Sequence, residues 1–112
     1  HYVAVDLNDF EADQRLFDET ERHGMEVDFL INNAGFGSMG DFAELNLERE
    51  LEMIGLNVMV LTALTHRYLQ GMRKRKRGTI INVSSTASFQ PVPYMATYAA
   101  TKAFVTSFTE AI

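Results

Sequence analysis

The sequence contains no cysteine among its 112 residues, which excludes a disulfide framework and a thiolate-bound metal centre. The same absence fits a reducing compartment, and a cytoplasmic location is the expectation. Basic residues are in deficit, with 10 Lys and Arg against 15 Asp and Glu and a formal charge of -5. A phosphate-binding face needs the opposite balance, so no nucleic-acid partner is expected. No apolar run is long enough to span a bilayer and no signal-peptide pattern opens the chain, so no membrane partner is expected either. Proline occurs only as Pro91 and Pro93, and the segment that holds both, 86–94, reads as a loop. What remains is 46% hydrophobic, with eight Phe and four Tyr. That composition and length describe one globular, mildly acidic domain.

Hydropathy patterning predicts three strands, each followed by a helix. His1 to Asp6 reads as a strand. Phe10 to His23 reads as an amphipathic helix with Asp9 as its N-cap and Gly24 as its stop. Val27 to Asn32 is short and mostly apolar, the pattern of a strand buried on both faces of a parallel sheet. It runs into Asn32-Asn33-Ala34-Gly35, which places carboxamides at the carboxyl end of a strand, where open α/β sheets bind ligands. Phe36 to Asn46 reads as a loop that covers a site. Leu47 to about Arg75 is the longest helical pattern, opened by Asn46 as N-cap and closed by the basic run Arg73 to Arg77 before Gly78. Its stretch Leu56 to Leu64 is apolar on more faces than one sheet can cover, which predicts a second subunit on the far side, with Val60 and Leu64 as contacts. Thr79 to Ser85 is a further buried strand with a polar end at Ser84 and Ser85. The last helix runs from about Met95 to Ile112. Alternating strands and helices predict an α/β, Rossmann-like doubly wound parallel sheet.

Tyr98 and Lys102 stand four residues apart on that last helix and project from one face, one turn apart. An ammonium beside a phenol favours the phenolate, which turns a weak acid with a pKa of about 10 into a useful proton donor and acceptor. Asn57 lies inside a helix, where Asn is mildly unfavourable, and reads either as a satisfied buried carboxamide or as a site residue. The apolar residues Phe36, Met39, Phe89, Val92, Tyr94 and Met95 suggest a pocket, although loop apolars also serve packing alone.

Taken in order, Asn32 to Gly35, Asn57, Ser85, Tyr98 and Lys102 resemble the short-chain dehydrogenase/reductase family over essentially the whole chain. Ser85 stands thirteen residues before Tyr98, the spacing typical of that family. The resemblance implies catalytic roles for Asn57, Ser85, Tyr98 and Lys102, and binding of NAD or NADP by Asp6, Asn33, Ala34, Gly35, Tyr98 and Lys102. It implies reversible hydride transfer between the nicotinamide and a small alcohol, ketone or aldehyde. It also implies a homodimer or homotetramer paired through the helices at about 47–75 and 95–112. Two other readings stay open: an epimerase or dehydratase on the same scaffold, and a non-catalytic dinucleotide-binding or dimerising module.

The sequence departs from the family pattern in lacking a Gly-rich Thr-Gly-x-x-x-Gly-x-Gly turn, and with it the pyrophosphate cradle at a helix N-terminus. The family's first two strands and its C-terminal part have no counterpart either. The expectation is therefore one partial dinucleotide-binding domain over 1–112, an internal piece that would not bind nicotinamide dinucleotides well alone.

Overall fold

A computed structural model describes residues 1–112. Four α-helices and two strands form in the order α1 (Ala12–Arg22), β1 (Phe29–Asn32), α2 (Leu47–Ile54), α3 (Leu61–Arg75), β2 (Thr79–Asn82) and α4 (Ala96–Ala111), with short 3₁₀ turns at Phe42–Glu44 and Thr86–Phe89. β1 and β2 pair in parallel, with Leu30 opposite Ile80 and Asn32 opposite Asn82. This is the expected α/β arrangement, reduced to a two-stranded sheet.

The predicted strand at His1 to Asp6 is not formed. A strand exists only through its ladder bonds, and no neighbouring strand offers any to this segment, so its β-branched residues have no sheet to join. The first helix begins later than expected. Its N-cap is Glu11 in the left-handed region (φ 57°) with no side-chain cap, not Asp9. Asp9 instead accepts from Ala12 through its backbone carbonyl, one turn before the helix. Gly24, at φ 62°, follows the helix end as expected, since that backbone suits a residue without Cβ.

Leu47 to Arg75 is helical throughout, but not uniformly α. Gly55–Val60 is π-helical and joins α2 to α3. Asn46 caps the start, its Oδ1 accepting from Arg49 N at 2.9 Å. The end is closed by Lys76 in the left-handed region (φ 56°), two residues before Gly78. The backbone N–H of Arg77 bonds back to Met72 O, so the last carbonyls are satisfied without a glycine at that position. The basic run then ties the helix to the sheet. Arg75 donates to Val27 O at 2.9 Å, and Arg77 pairs with Asp28 and Glu26, each at 3.1 Å.

The core lies between α3 and one face of the sheet. Leu64, Tyr68 and Met72 are buried there, with Leu30, Ile80, Leu16 and Phe17 packed around them. The other sheet face is open: Phe29 is 69% exposed and Ile31 59%, against the expectation of strands buried on both sides. The cause is layering, because no element of the 112 residues crosses to cover that face. The molecule is accordingly slab-like, 47 × 27 × 18 Å, with a radius of gyration of 15.2 Å where a compact domain of this length has about 13 Å. Leu64, expected to face a partner subunit, belongs to this core, while Met59 on the outer side of the π segment is 66% exposed.

Candidate active site

The carboxyl ends of β1 and β2, the π segment and α4 converge on one place. Asn32, the last residue of β1, donates from Nδ2 to Thr65 Oγ1 on α3 (3.0 Å) and to Asn82 Oδ1 on β2 (2.8 Å). Asn82 in turn donates to Thr109 Oγ1 on α4 at 3.0 Å. A row of carboxamides and hydroxyls therefore crosses the sheet from helix to helix. It leaves Asn33, Ala34 and Gly35 exposed beyond it.

Asn57 is 1% exposed. Its Oδ1 accepts from Phe36 N (3.2 Å), and its Nδ2 donates to Phe36 O (2.9 Å) and Thr101 Oγ1 (3.1 Å). Both amide hydrogens and a carbonyl lone pair are thus committed to protein partners. A Cβ on Gly35 would meet Asn57 Oδ1 at 2.8 Å, so only glycine lets the chain pass this close. The π-helical turn around Asn57 is a further distinguishing feature, since such insertions release backbone groups from regular helical bonding and occur often at functional sites. Nothing in the hydropathy pattern signals it beyond the mid-helix Gly55 and Asn57.

Lys102 is 7% exposed and Tyr98 half-buried, on the same face of α4. Lys102 Nζ donates to Val83 O at 2.9 Å, lies 5.9 Å from the centre of the Tyr98 ring, and would be 3.7 Å from a Cβ on Gly35. It makes no ion pair with any carboxylate. An ammonium with three donors, buried and bonded to one protein acceptor, retains two hydrogens for a ligand. The Tyr98 ring packs against Gly37, where a Cβ would approach Cδ2 at 3.1 Å.

Ser85 caps the 3₁₀ turn after β2, its Oγ accepting from Ala87 N at 3.1 Å. Its own hydrogen remains available for another acceptor. Ser84 is engaged elsewhere, bonding Lys102 O (3.1 Å) and Thr106 Oγ1 (2.6 Å), and so holds α4 against β2. Asp6 is not part of this convergence. It is exposed, its carboxylate accepts from Asn8 N at 2.9 Å, and the turn it closes abuts Gly55 from outside.

The apolar residues expected to form a pocket are dispersed. Phe89 and Val92 line a groove of about 660 Å³ with Pro91, Ala96, Ala100 and Ala103, on the side of α4 away from Tyr98. Met39 and Tyr94 are exposed on neighbouring loops, joined by Gly40 N to Tyr94 O at 2.9 Å. Residues that hydropathy and motif spacing did not single out are Thr65, Thr101 and Thr109. Their signal was available only as hydroxyls on the inner helix faces.

Several known proteins share this fold. The very-long-chain 3-oxoacyl-CoA reductase of Rattus norvegicus is 35% identical over 116 aligned positions, which take in 98% of this chain and 36% of that protein. A gluconate 5-dehydrogenase of Burkholderia cenocepacia, solved with NADP and tartrate, superimposes with a TM-score of 0.84 at 26% identity, covering 96% of this chain and 42% of the other. A 4-hydroxyisoleucine dehydrogenase solved with NADH and succinate gives a TM-score of 0.90 at 25% identity, covering 98% and 53%. The chain thus spans roughly a third to a half of the proteins it matches. The family model for short chain dehydrogenases matches residues 1–112, and the chain belongs to that family.

Proposed function

We propose that these residues form the catalytic part of a longer NAD(P)-dependent oxidoreductase that interconverts an alcohol and a ketone or aldehyde. The observation that carries this reading is Lys102, a buried ammonium without a counter-charge, one helical turn from a half-buried phenol. Burying an uncompensated cation costs several kcal/mol. A site retains one where it does work on a neighbouring proton or on a bound ligand.

The residues fit the nicotinamide half of a dinucleotide. Lys102 has two free hydrogens for ribose hydroxyls, and Asn33 to Gly35 form an exposed backbone edge beside it. The pyrophosphate half would need a Gly-rich turn, which these 112 residues lack. When bound, the nicotinamide supplies hydride to the carbonyl carbon and takes it back in the reverse direction. Tyr98 gives its proton to the carbonyl oxygen on reduction, and Lys102 stabilises the phenolate that remains. Ser85, with its lone pair committed to Ala87 N, points its hydrogen to the substrate oxygen and steadies the charge that develops there. Because the Asn57 side chain is satisfied by protein, a backbone carbonyl of the widened π turn is the group that would hold a water for returning a proton towards Lys102.

Tyr98→Phe tests the assignment in the complete enzyme. The assay pairs NADH or NADPH, or the oxidised forms, with a long-chain 3-oxoacyl-CoA, gluconate and 4-hydroxyisoleucine, the compound classes handled by the relatives. Turnover is expected to fall by about 10³-fold or more, with cofactor affinity within about threefold because the ring is kept. If the Phe enzyme keeps most of its turnover, Tyr98 is not the proton donor and the non-catalytic reading gains.

The same reading includes a homodimer or homotetramer paired through the long helix and α4, and a cytoplasmic location. Leu51 and Met59 are exposed apolar residues along the outer side of the long helix. That helix carries Glu48 and Glu52 at one end and Arg73 and Lys74 at the other. Two copies laid antiparallel would bring acid against base. Replacing Leu51 and Met59 by Glu should lower the sedimentation coefficient to that of a monomer, and an unchanged value rules this face out. No helix is long and apolar enough to cross a membrane.

A further inference from the structure

We infer that Thr101 is a positioning residue for the reaction, holding the Tyr98–Lys102 helix in register with Asn57 and the exposed edge at Asn33 to Gly35. This deepens the proposed oxidoreductase reading and rests on it. Thr101 is 3% exposed and sits between the two residues whose spacing defines the site. Its hydroxyl donates to Tyr98 O at 2.8 Å, the preceding-turn carbonyl that a helical Thr reaches in one rotamer. With its hydrogen used there, a lone pair is left facing Asn57, and Asn57 Nδ2 donates to it at 3.1 Å. No other side-chain hydrogen bond joins the π segment to α4.

The order of donation leaves little room for substitution. The group at this position must accept from an amide and donate to a carbonyl at once, which a hydroxyl does and an isosteric methyl does not. Loss of the bond releases Asn57 from α4. Asn57 is also what holds Phe36 at both its N–H and its C=O, and Phe36 follows directly on Gly35. The Thr101 hydroxyl therefore connects the helix carrying the proton donor to the loop that borders the proposed nicotinamide position. Misplacement of about 1 Å between reacting groups costs on the order of a hundredfold in rate.

The test uses the complete enzyme, its cofactor and whichever compound of the three-member panel it converts fastest. Thr101→Val should lower kcat by about 30- to 100-fold, with KM and the cofactor dissociation constant within about threefold. Thr101→Ser, which keeps the hydroxyl, should recover kcat to within about threefold of the parent. Hydrogen exchange at the Phe36 amide should quicken in the Val enzyme and not in the Ser enzyme, a readout independent of turnover. Combining Thr101→Val with Asn57→Ala should slow the enzyme no further than Asn57→Ala alone, within about twofold, since both changes break one bond. Should the Val protein not fold, Thr101→Ala takes its place under the same criteria. The inference is overturned if the hydroxyl-free enzyme keeps more than a third of its kcat, if Ser is as slow as Val, or if the two changes multiply. Tyr98→Phe run alongside separates the two failures: an active Phe enzyme removes the underlying reading, whereas an inactive Phe enzyme with an active Val enzyme removes only the role of Thr101.

Discussion

The two ends of the β1–β2 pair are held by different chemistry. At the amino end, Arg77 bridges to Asp28 and Glu26 across side chains that are 44% to 62% exposed, and Arg75 reaches Glu26 at 3.8 Å. At the carboxyl end there are no ion pairs. Asn32, Asn82, Thr65 and Thr109 make a row of neutral hydrogen bonds, buried at Asn32 and Thr65 and half-buried at Asn82 and Thr109, and one unpaired cation, Lys102, stands beside it. Exposed ion pairs contribute little, roughly 0 to 1 kcal/mol each, because water and salt screen them. Buried neutral bonds contribute modestly when made and cost more when broken, since a stranded polar group has no water to turn to. The end proposed to do chemistry is thus held by specific, partner-dependent bonds, while the other end is fastened by replaceable contacts. If Tyr98 donates a proton as proposed, it needs a fixed neighbourhood, and neutral bonds supply one without adding charges that would compete with Lys102 for the phenol.

The contrast can be broken most severely at Lys102. In Lys102→Met the stem is kept and the charge removed, so turnover should fall at least about a hundredfold. The unfolding free energy of the cofactor-free enzyme should move the opposite way and rise by about 1 kcal/mol, because an unpaired buried charge is gone. Steady-state rates and a denaturant midpoint on the same preparation decide it. A loss of stability comparable to the loss of function would mean that Lys102 is a structural member of the sheet end, bonded more fully than through Val83 O alone.

Next in size is Asn32→Ala. It strands Thr65 Oγ1 and Asn82 Oδ1 together, which should cost about 2 to 3 kcal/mol. The same denaturant measurement on Arg77→Ala, at the other end, should show less than about 1 kcal/mol. If the two substitutions cost the same, the distinction between the ends is wrong.

How much of this was legible in the sequence follows the range of the interactions involved. The Tyr98–Lys102 pair, the Asn46 cap and the polar end of β1 are local, written within four or five residues, and each formed where it was expected. The long helix and its basic terminus were also legible from periodicity and charge. Interactions that need a distant partner were not. His1 to Asp6 has strand composition but no strand beside it. Leu64 reads as one more apolar residue on an all-round apolar helix until β1 and β2 arrive to cover it. Glu11 rather than Asp9 is the N-cap of α1, and Asp9 instead turns its carboxylate to Arg15 and takes Ala12 N on its carbonyl. The π turn and the Thr101 bridge were missed for a related reason. The bridge joins Asn57 to Thr101, 44 residues further along the chain, and no short window of the sequence contains both.

The smallest effect tests the comparison from the exposed side. Glu19 lies on α1, where hydrogen bonds from Arg22 and then His23 hold its carboxyl below the ordinary carboxylate pKa. A lowered folded-state pKa means that the unfolded chain binds the proton more readily. The contribution to stability is therefore present at neutral pH, above the unfolded value of about 4.3, and is lost as pH falls through the lower folded value. Arg22, raised by the same contact, stays charged throughout this range. A Glu19→Gln protein should accordingly melt slightly below its parent at pH 7, lose that difference as acid protonates Glu19, and approach the parent also in 1 M salt, where screening is effective within about 3 Å. Asn32→Ala carries no titrating group, and its deficit should be the same at every pH and salt concentration where both proteins fold. Scanning calorimetry of the three proteins at pH 7 and pH 3, with and without added salt, makes the comparison directly. A deficit in Asn32→Ala that fades with acid or salt would mean that charge also holds the carboxyl end of the sheet together.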